Sequence, residues 1–239
     1  MSVESPTRSP SLERLSASAV QQTVGRLSER ITARFPARGL ARVAVELTEL
    51  AKDVSTGTAT TRTRLRWVRL ASRVGVAVVI LASVVALVLA MRDAERVDSS
   101  VDWLPLIESA INDLVFAAIA VFFLHALPNR IERGHLLDLL HRLRSLAHIV
   151  DMHQLTKDPE RLRDDFTPTS ASPDPELDRA GMEHYLDYCS ELLSLIGKVA
   201  ALCAEESRDP VVLDTVSTIE TLTTGMSRKI WQKISLLPD

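Results

Sequence analysis

VGVAVVILASVVALVLAM, residues 74–91, is eighteen residues without a charge or a proline, in a chain that is 25% charged. A helix at the surface of a soluble protein keeps a polar stripe toward water, but this stretch offers only Gly75 and Ser83 as interruptions all the way round. As a helix it extends roughly 27 Å, close to the ~30 Å hydrocarbon thickness of a bilayer. The expectation is a membrane span. A second segment, Leu106 to Leu127, has spanning length and follows Pro105, a residue suited to a helix's first turn. Its outer half is polar.

Charge is distributed unevenly around these segments. Residues 1–73 carry thirteen Lys/Arg against six Asp/Glu, residues 74–129 two against six, and residues 130–239 thirteen against nineteen. Arg62, Arg64, Arg66, Arg69 and Arg73 precede the first span, and Arg130, Arg133, Arg142 and Arg144 follow the second. The stretch between them, RDAERVDSSVDW, has two arginines and four acids. Because positive charge is retained inside, both termini are expected in the cytoplasm and the short loop outside. Trp67 and Trp103 fall where amphipathic rings anchor at the headgroups. The polar start, MSVESPTRSPS, lacks the apolar region of a secretory signal, so the first span is expected to act as an uncleaved anchor.

The remaining segments carry helical periodicity, and no run alternates like a strand. Leu12, Leu15, Val20, Val24, Leu27 and Ile31 mark one helix, broken at Phe35-Pro36; Leu40, Val43, Leu47, Leu50 and Val54 mark a second. STGTATTRT then reads as a flexible connector. Beyond the second span, Leu136, Leu140, Leu143, Ala147 and Val150 continue it as an amphipathic helix, which would couple the cytoplasmic part to the membrane part. Residues 167–176 are Pro/Ser-rich and acidic, hence a loop. Two further helices follow. The last opens at Asp209-Pro210 and carries Val212, Val216, Ile219, Met226, Ile230, Ile234 and Leu237 in nearly heptad register, a pattern that serves either a bundle core or self-assembly.

The expected fold is therefore all-α: a membrane protein with a two-helix transmembrane hairpin and a cytoplasmic helical bundle. Its domains are an N-terminal helical pair with a disordered start (1–60), the hairpin (61–128) and a cytoplasmic helical domain (129–239).

Catalytic signatures are missing. GxSxG, P-loop and HExxH motifs do not occur. Glu132-x-x-His135 is half of a di-iron carboxylate signature whose second copy is not evident, and His141, His148 and His153 spread around their helix. Cys189 and Cys203, fourteen residues apart on one helix, lie beyond disulfide reach and form no CxxC pair. No catalytic residue, metal or cofactor is expected, and the chain does not read as an enzyme. Its early arginines lack interleaved aromatics, which argues against direct nucleic-acid binding and leaves attraction to anionic lipid.

The polar residues of interest lie in the second span. Glu108 and Asn112 are four apart, with Asp113 beside them, roughly 5 Å from the span's midpoint. A charge at that depth costs about 2.5–3.5 kcal/mol, so the acids should face protein or water. Ala82, Ala86 and Ala90 form a small-xxx-small ridge that permits close helix approach. If hairpins associate through it, Glu108, Asn112 and Asp113 could line a cation path; alternatively, Asp113 bonds Ser83 within one hairpin.

This basic helical lead, two closely spaced spans and cytoplasmic bundle together resemble the two-transmembrane effectors of bacterial anti-phage systems. Those accompany nucleotide-cyclase signalling, SMODS/SLOG-associated modules or retron reverse transcriptases. The resemblance is one of architecture over the whole chain and transfers no site residue. It implies an oligomeric inner-membrane protein that permeabilises the membrane when a cytoplasmic sensor or signalling partner triggers it. A non-conducting membrane scaffold recruiting cytoplasmic partners is the other class the sequence supports.

Overall fold

A computed structural model describes residues 14–94, 103–172 and 177–238, with side chains excepted at 56–65, 90, 93–94, 103–106 and 206. Leu12 and most of the inter-span loop lie outside the described residues. The described residues contain helices and no strand: α1 (Ala17–Arg34), α2 (Gly39–Ala94), α3 (Trp103–Leu155), a 3-10 turn (Pro159–Leu162), α4 (Arg179–Glu206) and α5 (Pro210–Ile234). They form two compact units, one of Met1–Thr58 with Leu136–Asp239 and one of Ala59–His135.

In the first unit, α1 begins where Ser16 Oγ accepts the Ala19 amide, and buries Val20, Val24, Leu27 and Ile31. It stops at Phe35, because the residue before a proline is driven out of the helical region. Phe35 then packs edge-on to Tyr185, with ring centroids 5.4 Å apart. The start of α2 buries Leu40, Val43, Leu47, Leu50 and Val54, and the end of α3 buries Leu140, Leu143, Ala147 and Val150. Arg142 joins these helices on the outside, 2.7 Å from Glu46. Both partners are half exposed, so this pair contributes little stability.

The N-terminal pair and the C-terminal helices share one apolar core, in which α4 is the most enclosed helix through Leu186, Leu193, Ile196 and Val199. Asp209 caps α5 by accepting the amides of Val211 and Val212, and Pro210 occupies the first turn. The heptad stripe of α5 is used as core, with Thr223 filling the gap between Ile219 and Met226. The Thr223 hydroxyl donates to the Glu220 carbonyl at 3.2 Å. A Cβ at Gly197 of α4 would lie 3.1 Å from the Thr223 hydroxyl oxygen, so the glycine allows the two helices to close at this level.

Polar groups finish the helix ends. Lys233 Nζ on α5 donates to the carbonyls of Gln154 (2.9 Å) and Lys157 (3.1 Å), supplying partners at the end of α3. Burial holds its pKa below the usual lysine value, against the opposing pull of Asp158, Asp151 and Cys189. Cys189 and Cys203 are buried free thiols, and burial pushes the Cys189 thiol far above its ordinary range.

His153 lies against Gly39, where any Cβ would overlap the imidazole. Burial lowers its pKa first, with Arg42 and Lys157 adding repulsion. The unfolded chain, with an ordinary histidine pKa near ~6.5, therefore binds the proton more tightly than the folded one. Stability is expected to be full above that pH, to decline as pH falls through it, and to level off below the folded-state value. Urea titrations at stepped pH should show this slope, and His153→Gln should flatten it.

The segment expected as a connector is instead helical, since residues 55–63 continue α2 without a break. Gly57 costs about 1 kcal/mol and each threonine up to ~0.7 kcal/mol relative to alanine in a helix. Strong helix on both sides carries that cost, because a break would create two new ends with orphaned backbone groups.

Candidate functional site

The second unit is a hairpin of the later part of α2 and the earlier part of α3. Two stretches of these helices are long and apolar enough to cross a membrane, within Arg66–Leu89 and Ile107–Leu162, the latter running on past this unit. Their most apolar windows are 6% and 0% buried within the protein. Val78, Leu81, Val85, Leu114, Phe116 and Phe122 all stand exposed. A soluble buried hairpin would enclose these side chains, and none of the described residues covers them.

What joins the two helices follows from Pro128, which lies inside α3. A proline has no amide hydrogen, so the carbonyl four residues earlier, that of Leu124, loses its helical donor. The Ser72 hydroxyl of α2 donates to that carbonyl, and Ser72 is only 7% exposed. One turn further, a Cβ on Gly75 would lie 3.2 Å from Leu124 Cδ1, so the glycine keeps this crossing close. Arg69 and Glu132 add an ion pair at 3.1 Å. Sequence reasoning missed Ser72 and Pro128, although the signal was present: a proline within a continuous helical pattern implies an orphaned carbonyl, and a small hydroxyl residue can reach one.

Away from that crossing the two helices line an open hollow of about 660 Å³, whose lining includes Ser83, Ala86, Ile111, Asp113, Ala117 and Val121. Asp113, itself exposed, is thus the predicted polar residue that lines this open hollow together with the first span. Among the described residues it has no hydrogen bond to Ser83, although both line the hollow. Glu108 and Asn112 are as exposed as Asp113 but do not line it. The helical turn explains the separation, since Asn112 is rotated about 100° from Asp113 and Glu108 about 140°. Of the alanine ridge, Ala86 faces the hollow and Ala82 is exposed, whereas the side chain of Ala90 lies outside the described residues. Trp67 is 68% exposed; the Trp103 side chain is likewise outside the description.

The hollow offers one carboxylate, Asp113, and two hydroxyls, Ser83 and Ser109, on otherwise apolar walls. Such a set can hold a proton or a cation, but it has no nucleophile–base pair and no grouped ligands for a metal among the described residues. No protein-family model, curated protein or solved structure matches the chain.

Proposed function

We propose that the chain is an integral protein of the bacterial inner membrane, with both termini cytoplasmic, that oligomerises and permeabilises the membrane when triggered through its cytoplasmic helices. Anti-phage defence is the setting that its architecture suggests. The observation that carries this reading is an exposed apolar hairpin with Asp113 on the wall of its open hollow. Nine Leu, Ile, Phe or Val residues between Leu114 and Leu127 each favour insertion by about 0.3–0.6 kcal/mol, enough to offset roughly one mid-bilayer acid. A carboxylate at that depth is functional by default, and copies placed side by side would bring several to one axis.

The experiment is depolarisation of bacterial cells on induced expression, read with a potential-sensitive dye. At ~4 Å and an effective dielectric of ~20 a unit charge is worth about 4 kcal/mol, so Asp113→Asn should lower the rate tenfold or more. Glu108→Gln, outside the hollow, should change it little. Equal rates in the parent and Asp113→Asn would remove the cation path.

A second reading has its own support. A groove of about 800 Å³ runs along α1, α4 and α5, with Leu15, Leu27, Leu195 and a 57%-exposed Trp231 on its walls. Such a groove suits recruitment of a cytoplasmic partner by a non-conducting anchor. Absence of depolarisation by the parent protein favours that reading.

A further inference from the structure

One end of the hairpin is unusually basic. Across residues 59–91 of α2 and 114–135 of α3 the sequence has seven arginines and a single acid, Glu132. Arg66, Arg69 and Arg73 fall within about 60° of one another around α2. On α3, Arg130 stands over the Phe123 ring, 5.9 Å from its centroid. Arg69 bonds Glu132 at 3.1 Å, which leaves the cluster strongly positive. Arg66, Arg73 and Arg130 are exposed and have no acidic partner among the described residues. The register is set by the Ser72 bond to Leu124 and by the Arg69–Glu132 pair, so these cations form a collar about two helical turns deep. Immediately beyond it, at Val74, the uncharged stretch begins, and the exposed Trp67 ring stands beside it.

We infer that this collar binds the phosphodiester headgroups of anionic phospholipids, and that Glu132 competes with them for Arg69. The inference rests on the membrane-spanning reading above. A nucleic acid would also meet positive charge here, but the collar borders a largely apolar surface and presents no row of aromatic rings for bases to stack upon. Lipid supplies both the phosphate and the hydrocarbon that this surface adjoins. An arginine near an anionic surface is worth about fivefold in affinity. The carboxylate gives the opposite sign: Glu132→Gln frees the Arg69 guanidinium, so binding should strengthen even though an intramolecular ion pair is lost.

The test uses the full chain in neutral detergent, with melting temperature followed against added dioctanoylphosphatidylglycerol, dioctanoylphosphatidylcholine, inorganic phosphate or a short DNA duplex. We expect stabilisation by phosphatidylglycerol alone. Its apparent affinity should fall about fivefold for each of Arg66→Gln, Arg73→Gln and Arg130→Gln, and rise about fivefold for Glu132→Gln. Equal responses to the two lipids, an equal response to phosphate or DNA, or weaker binding by Glu132→Gln would overturn the inference. Should an arginine variant fail to fold, the Glu132→Gln result decides alone. Failure of the spanning reading is separately visible, since the chain would then stay monodisperse without detergent.

Discussion

Ser72→Ala is expected to destabilise the hairpin by about 1–3 kcal/mol, the cost of leaving the part-buried Leu124 carbonyl without this partner. The Ser72 hydroxyl bonds this carbonyl, and Pro128 withholds the amide that would ordinarily serve it. Where water is excluded, an unpaired backbone group is costlier than at a wet surface. The expected result is a lower midpoint in chemical unfolding of the detergent-solubilised protein. Pro128→Ala restores an amide at the missing position and should make Ser72→Ala nearly neutral. That coupling separates the proposed pairing from a general loss of packing, which the second substitution would not repair.

Leu193→Ala is the larger perturbation, expected to cost about 2–5 kcal/mol in the first unit. Leu193 is fully buried on α4, the most enclosed helix of a core to which α1, α2, α3 and α5 all contribute. Its loss removes apolar burial and leaves a cavity that five converging helices cannot readily fill. Exposed positions on the same helix give the control: Ser194→Ala, one residue away, should shift unfolding by less than about 0.5 kcal/mol. Circular-dichroism melts of the three proteins in one detergent provide the comparison.

Much of the helical framework was legible because it follows from spacing along one element. The steps of three and four from Leu40 to Val54 and from Val212 to Ile230 give buried faces directly, and Asp209-Pro210 marks the start of α5 by its capping chemistry. Features that depend on distant partners were not legible. Nothing local shows that Arg30 of α1 meets Glu191 of α4, at 3.0 Å across 161 positions. Nor does a heptad pattern reveal that the polar Thr223 fills the gap opposite Gly197. The threonine-rich continuation of α2 misled for a related reason, since composition favours a loop while the flanking helices make a break costlier than continuation.

At the candidate site, the depth match of Asp113 with Ala86 and Ser83 could be read from the antiparallel register, and all three line the hollow. The rotation that sets Glu108 and Asn112 apart from it could not, because the azimuth of a helix that is apolar nearly all round is fixed only by its neighbour. That neighbour's contact is made through Ser72 and Gly75, two small residues that hydrophobic periodicity overlooks.

The central claim is that lipid covers the apolar hairpin. Alkaline carbonate extraction of membranes from bacterial cells expressing the full chain tests it most directly. The spanning reading predicts that the protein stays in the membrane pellet and is released only by detergent. Recovery in the carbonate supernatant as a monodisperse, detergent-free species would contradict it.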